Sequence, residues 1–238
     1  SLRSHITGVK RFASLHFAQP KFLTTFGTSL NPQVNCNITQ LRLYETFILN
    51  KLVYLFIMKE IEVKAKISSF SEIQSKLSDL GCTFSEPLIQ KDKIYLHNSI
   101  EFPDIKRGTV ILRIRDSNGQ FIITLKKQLE NELDNIEREI VVDNPEQADE
   151  ILKYMNFHEV VKVTKKRIKC KHNKLEICLD EVENLGSFIE VEKITSEEDS
   201  LKVQKELFEF LETLGINKEK QVFKGYDTLI YESNNSKV

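Results

Sequence analysis

The sequence predicts an α+β fold in which an antiparallel sheet of eight or nine strands closes into a barrel and carries its helices on the outside. Three observations predict it. From Met58 onward, charged and apolar residues alternate with a period of two along most of the chain, which marks strands buried on one face. Only three stretches carry a helical period, and each begins at a capping residue. One order, alternating strand, capped helix and further strand, is written three times.

The first unit opens with "MKEIEVKAKI" (58–67), where Glu60, Glu62 and Lys64 alternate with Ile61, Val63 and Ala65. Ser69 and Glu72 have the spacing of a capping box, Ile73, Leu77 and Leu80 share one helix face, and Gly81 stops the helix. The strand "QKDKIYLH" follows. "GTVILRIRD" and "FIITLKKQ" are joined across "DSNGQ", whose Asn118-Gly119 pair is a hairpin signal. The second unit is "IEREIVVDNPEQADEILKYMNF": Glu137 and Glu139 precede an Asn144 N-cap with Pro145 at the first helical position, and Ala148, Ile151, Leu152 and Met155 form the apolar face. "VVKVTKKRIKCK" and "NKLEICLDEV" are the next strands. The third unit, "GSFIEVEKITSEEDSLKVQKELFEFLETLG", has Glu190 and Glu192 on its strand, a cap from Thr195 and Glu198, and a helix lined by Leu201, Leu207, Phe208, Leu211 and Leu214. "KQVFKGYDTLIY" is expected as the last strand.

The domain reading is 58–238, with residues 1–57 as a non-domain N-terminal extension. That segment holds six bases against one acid, Glu45, and has neither helical nor alternating period. An upstream stretch carried into the reading frame is preferred over an acid-poor leader or a real N-terminal extension. The apolar run 47–58 is interrupted by Asn50 and Lys51 and is too short to span a bilayer.

A formal charge of −1 gives no global basic field, so nucleic acid and anionic membrane are not expected as partners. Any anion site must be built locally. The four cysteines, Cys36, Cys82, Cys170 and Cys178, form no CxxC pair, which argues for reduced thiols, a cytoplasmic location and no zinc.

The charged strand faces carry the functional argument. Residues i and i+2 share a face, which groups Glu60, Glu62 and Lys64; Arg113 and Arg115; Thr124 and Lys126; Glu137 and Glu139; Lys165, Arg167 and Lys169; Glu176, Cys178 and Asp180; and Glu190 and Glu192. For any one strand alone, a face turned to water is the commoner explanation. Acidic and basic pairs segregate by strand, however, and arginine fills the "LRIR" pair, the side chain suited to bidentate recognition of phosphate or carboxylate oxygens. With the apolar faces outward under helices, these charges line a polar tunnel. A polyanion together with a divalent cation satisfies both sets, and hard oxygen donors without Cys/His clusters point to Mg²⁺ or Mn²⁺. No glycine-rich phosphate loop occurs, so side chains must hold the phosphates.

"EIEVK" fits the ExExK motif, and "LRIR", "TLKK", "EREI", "KKR", "CLDEVENLGSFIEVE" and "FKGYDTLI" follow in order; the chain thereby resembles the CYTH superfamily of triphosphate tunnel metalloenzymes over about residues 58–232. The resemblance implies a closed eight-stranded antiparallel β-barrel acting on a triphosphate. It implies Glu60, Glu62, Asp180, Glu190 and Glu192 as metal ligands and Arg113, Arg115, Lys126, Lys165 and Arg167 as the phosphate grip. Lys64, Glu62 and Arg167 are the residues implied nearest the chemistry. Glu137 and Glu139 match acidic lumen positions for positioning or a second metal. Lys224 falls at the C-terminal basic position, although Gly225 stands where the family carries a small hydroxyl residue.

The expected function is metal-dependent hydrolysis of a small-molecule triphosphate: tripolyphosphate, thiamine triphosphate or a nucleoside triphosphate. The alternative is cyclisation of ATP to cyclic AMP and pyrophosphate. Tyr54 and Leu55 stand where cyclases of the superfamily often carry a His-Phe pair, which favours hydrolysis. A non-catalytic polyphosphate-binding module is disfavoured because the carboxylate positions are filled, and a carrier of apolar ligands because the lumen is charged. A homodimer is left open. His97, His158 and His172 are expected at strand ends and loops, without a catalytic role.

Overall fold

The computed structural model describes residues 58–196 and 199–235. The readings above for residues 1–57, which include Cys36, Tyr54 and Leu55, and for Glu198 lie outside them. The elements are β1 (Lys59–Lys66), α1 (Phe70–Asp79), β2 (Leu88–His97), β3 (Val110–Ser117), β4 (Gln120–Gln128), β5 (Asp134–Val142), α2 (Pro145–Tyr154), β6 (Phe157–His172), β7 (Leu175–Val182), β8 (Gly186–Thr195), α3 (Ser200–Thr213), the two-residue β9 (Gln221–Val222) and α4 (Tyr226–Asn235).

The strands run in the order β5-β4-β3-β2-β6-β7-β8-β1, and β1 returns to β5 through Glu60 opposite Asn135 and Ile61 opposite Asp134. This last pairing closes an eight-stranded antiparallel barrel and removes its open edges. The 16-residue β6 is long enough to serve β2 along one side and β7 along the other. Asn118 (φ 50°) and Gly119 (φ 86°) are both left-handed between Ser117 and Gln120, the geometry of a two-residue type I′ hairpin.

Alternation decides which way each side chain points. Ile61, Val63 and Ala65 of β1 are fully buried on the outer face, packed with Ile73 and Leu77 of α1 and with Val203, Leu207, Phe208 and Leu211 of α3. Ala148 and Leu152 of α2 cover Tyr95, Leu112 and Ile114. A third cluster joins Ile94, Ile111 and Val163 to Phe188, Tyr226 and Ile230, so α4 packs across one end of the barrel.

The helix boundaries follow local chemistry. The Ser69 side chain accepts from the Glu72 amide and that of Asn144 from the Gln147 amide. Gly81 ends α1 at φ 82°, with its own amide donating to Ser78 O and that of Cys82 to Leu77 O, a Schellman pattern that satisfies the last carbonyls.

The structure corrects three expectations. "KQVFKGYDTLIY" is not a strand: β9 stops at Val222, and α4 follows because Tyr226 and Ile230, four apart, fall on one helix face that packs on the barrel end. The N-cap of α3 is Asp199, which accepts from the Lys202 amide, because Thr195 is still paired in β8 with Lys59. Helix faces also differ from their periodicity: Leu80, Ile151, Met155 and Leu201 are exposed, because α2 buries only the i, i+4 pair Ala148 and Leu152 and α3 turns Val203, Leu207, Phe208 and Leu211 inward, which leaves Leu201 on the outer side.

Candidate functional site

The inward rows of the strands enclose a cavity of about 390 Å³. Its wall contains Glu60, Glu62 and Lys64 from β1, Arg113 and Arg115 from β3, Lys126 from β4, Glu137 and Glu139 from β5, Lys165 and Arg167 from β6, and Glu190 and Glu192 from β8. All but two of the residues anticipated from the sequence therefore face one volume. The exceptions are Asp180, which lies behind the wall, and Lys224, whose ammonium turns away to Glu232 at 2.5 Å.

Strand register sets the carboxylate geometry. Glu62 lies opposite Glu192 and Glu192 opposite Glu176, while Glu60 sits two residues before Glu62 on the same face. One carboxylate oxygen each from Glu60, Glu62 and Glu192 falls within 4.8 Å of the others. Burial, reinforced by repulsion from Glu137, pushes Glu60 up to about 7. Burial and the neighbouring Glu60 push Glu192 up to about 10, and burial likewise raises Glu62. Three carboxyl groups driven together against their charge fit a divalent cation, whose two positive charges offset most of their mutual repulsion.

Glu190 and Asp180 behave differently. Arg167 is gripped by both: its guanidinium donates to Asp180 at 2.7 and 2.5 Å and also to Glu190. Lys64 approaches Glu190 at 3.1 Å and Glu62 at 3.3 Å, and Lys165 approaches Asp180 at 3.4 Å. The Tyr226 hydroxyl donates to Asp180 at 2.9 Å, and its ring lies 4.2 Å from the Lys64 ammonium and 4.9 Å from that of Lys165. With its oxygens engaged by Arg167, Lys165 and Tyr226, Asp180 acts as a counter-ion that fixes cations. In this structure the five residues expected as metal ligands fall into a cluster of Glu60, Glu62 and Glu192 and a pair, Asp180 and Glu190, that is ion-paired with Arg167.

The remaining cations are poised at the surface of the cavity. Arg113 donates to Thr124 at 3.0 Å and Glu139 at 3.2 Å, Lys126 pairs with Glu137, and Arg115 makes a bidentate bond to Asp92 at 2.7 Å on both oxygens. Burial, followed by the charge of Arg167, draws the Lys165 ammonium down to about 8. For Lys64 burial acts in the same sense, but Glu62 and Glu190 outweigh it and its pKa is raised.

Asp92 and Tyr226 are parts of the site that the sequence reading did not assign. The inward row Gln90, Asp92, Ile94 was legible in principle, but Lys91 and Lys93 on the outer face make that stretch polar throughout and conceal the alternation. Burial alone would raise the Asp92 carboxyl, and the hydrogen bonds and charge of Arg115 reverse this and hold it well below the usual range. A folded-state pKa below the unfolded value stabilises above the unfolded pKa near 4, and the contribution disappears as pH falls through the folded value. The Asp92→Asn variant is therefore expected to lose less melting temperature than the wild type between about pH 5 and 2. Parallel melting curves across that range would show that this pair contributes nothing. The histidines stand apart: His97 lies against Ser99 and Phe157, His158 against Asn98 and His172 against Phe210.

Among the described residues, no helix is long and apolar enough to cross a membrane, and Cys82, Cys170 and Cys178 are buried free thiols.

Comparison with known proteins agrees with this geometry. The family model described as "CYTH domain" matches residues 58–226. A Methanocaldococcus jannaschii protein provisionally named an adenylate cyclase is 34% identical over 172 residues, covering 71% of this chain and 97% of its own. Two solved Pyrococcus horikoshii structures align with 30% identity and a TM-score of 0.62, covering 73% of this chain and 99% of that one, and with 32% identity and a TM-score of 0.59, covering 70% and 96%. By the family model over residues 58–226 and by the Methanocaldococcus relative, the chain, with its closed barrel, internal carboxylate cluster and ring of inward cations, belongs to the CYTH domain family of triphosphate-processing enzymes, whose members are metal-dependent triphosphatases or adenylyl cyclases.

Proposed function

We propose that this protein is a phosphohydrolase that cleaves the terminal phosphoryl group of a triphosphate with Mg²⁺ or Mn²⁺. The observation that carries the reading is the presence, in one cavity, of a carboxylate cluster and a separate set of cations already paired with exchangeable carboxylates. Arg113 and Lys126 can release Glu139 and Glu137 and take phosphoryl oxygens instead, exchanging one anionic partner for another. Arg167 and Arg115 are fixed by Asp180 and Asp92, so their positions are set before substrate arrives.

Glu60, Glu62 and Glu192 would hold the cation, which when bound supplies neutralisation of phosphoryl charge and Lewis acidity. Lys64, held between Glu62 and Glu190, presents a positive charge beside that cluster for the negative charge that develops on the transferred group. A carboxylate of the cluster left unneutralised is placed to orient a water for in-line attack on the terminal phosphorus. The bond to the bridging oxygen breaks, orthophosphate forms from the water and the phosphoryl group, and the shortened polyphosphate leaves.

The Methanocaldococcus relative's provisional name favours a second reading, cyclisation of ATP with release of pyrophosphate. A panel of tripolyphosphate, thiamine triphosphate and ATP, with Mg²⁺ or Mn²⁺ and with orthophosphate, pyrophosphate and cyclic AMP followed separately, decides between them. Metal-dependent orthophosphate is the expected product; pyrophosphate with stoichiometric cyclic AMP would replace hydrolysis by cyclisation.

A further inference from the structure

We propose that Tyr226, the first residue of α4, is a positioning residue that holds the ammonium groups of Lys64 and Lys165 against its ring, so that the C-terminal helix completes a site otherwise built by the barrel. The proposal rests on the triphosphatase reading above and adds to it a residue that acts through the lysines without touching substrate.

The ring centroid lies 4.2 Å from Lys64 Nζ and 4.9 Å from Lys165 Nζ, within the range at which the negative face of an aromatic ring attracts a cation. Tyr226 is 6% exposed, and its ring is fixed from several sides. Its hydroxyl donates to Asp180 at 2.9 Å, and Phe188 packs against it edge to face, with centroids 5.2 Å apart and planes at 68°. The start of α4 is itself tied down. Glu132, in the loop between β4 and β5, accepts from the Gly225 amide at 2.7 Å and from the Thr228 hydroxyl at 2.9 Å. The backbone beside Tyr226 contributes as well, because the Lys224 carbonyl accepts from Lys64 Nζ at 3.4 Å while the Lys224 ammonium points away to Glu232.

Lys64 has reason to need these contacts. Its ion-pair partners are Glu190 at 3.1 Å and Glu62 at 3.3 Å, but Glu190 is shared with Arg167 and Glu62 belongs to the carboxylate cluster proposed to hold the cation. A carboxylate engaged by a divalent cation attracts a neighbouring ammonium less, and the cation itself repels that ammonium. The Tyr226 ring and the Lys224 carbonyl lie outside the cluster, so they keep the Lys64 charge in place when Glu62 is engaged. That charge is then preorganised for the negative charge that develops on the transferred group.

The test uses the full chain with Mg²⁺ and measures kcat and KM on whichever of tripolyphosphate, thiamine triphosphate and ATP the wild type turns over fastest. Tyr226→Phe, Tyr226→Leu and a chain with a trifluorinated phenylalanine at position 226 are compared; fluorine withdraws electron density from the ring face at nearly constant shape. Tyr226→Phe is expected to keep kcat within about threefold of wild type, because the ring remains. The trifluorinated ring is expected to lower kcat about fivefold below that of Tyr226→Phe and Tyr226→Leu about tenfold, with KM little changed, because Lys64 acts on charge developed in the transition state. Melts with and without Mg²⁺ should show the same metal-induced rise in every folded variant. A trifluorinated ring that matches phenylalanine would reduce Tyr226 to packing, and so would losses confined to KM. A Tyr226→Phe variant as impaired as Tyr226→Leu would transfer the role to the hydroxyl and overturn the ring. If Tyr226→Leu fails to fold, the trifluorinated ring, which keeps the packing, decides alone. Absence of metal-dependent turnover of all three compounds in the wild type would instead overturn the triphosphate reading itself.

Discussion

The Glu62→Gln variant is expected to lose metal-dependent turnover by at least about 100-fold, since a bound cation contributes several kcal/mol of transition-state stabilisation. Glu62 has two connections in the site. Its carboxylate belongs to the cluster with Glu60 and Glu192, and it also lies 3.3 Å from the Lys64 ammonium. An amide keeps the shape and removes the charge that would bind the ion. A structural explanation predicts the opposite stability change. Burial and like charge hold Glu62 above its normal pKa in the metal-free protein, so removing its charge should leave that form equally or more stable. Mg²⁺ at about 100 times its dissociation constant should raise wild-type stability by about 2.7 kcal/mol. Thermal melts should show that rise in the wild type and its absence in Glu62→Gln. An inactive variant that keeps the full metal-induced shift would remove Glu62 from the ion site.

Truncation of Arg167 to Ala is expected to destabilise the protein by about 3–5 kcal/mol, the usual cost of stranding buried charge. The guanidinium is 6% exposed and holds both Asp180 and Glu190. Lys165 at 3.4 Å and Lys64 at 3.1 Å remain as weaker partners, which favours the lower part of that range. A loss of about 3 kcal/mol corresponds to a fall of roughly 6–12 °C in melting temperature for a domain of this size. Urea unfolding measures it directly, and a loss below about 1 kcal/mol would mean that the pair is as weak as an exposed one. The double variant Arg167→Met with Asp180→Leu removes the charge and its main counter-ion together. It should recover much of the stability and none of the activity, which separates the folding role of Arg167 from the phosphate contact proposed for it.

The barrel and its charged lumen were legible because the strand period is two. Once Ile61, Val63 and Ala65 are recognised as buried, Glu60, Glu62 and Lys64 have only the other face to occupy. The same logic placed Arg113 with Arg115 and Glu190 with Glu192. It missed Asp92, where both faces are polar in sequence, and it misjudged the last segment, where the β-branched Thr228 and Ile230 resemble a strand more than a helix. What makes that segment helical is the apolar barrel end waiting for Tyr226 and Ile230, a surface that no local window contains.

By itself, then, the sequence determined which residues face inward, because alternation is a local property of the chain and needs no knowledge of neighbours. It could not say which carboxylate meets which cation. That depends on register between strands far apart in sequence: Glu192 opposite Glu62 collects three carboxylates, whereas Glu190 opposite Lys64 and Asp180 opposite Arg167 form ion pairs. A shift of two residues in either pairing would preserve every inward face and exchange those roles. Only the register of the closed barrel gathers Glu60, Glu62 and Glu192 into one cluster and sets Asp180 and Glu190 against Arg167.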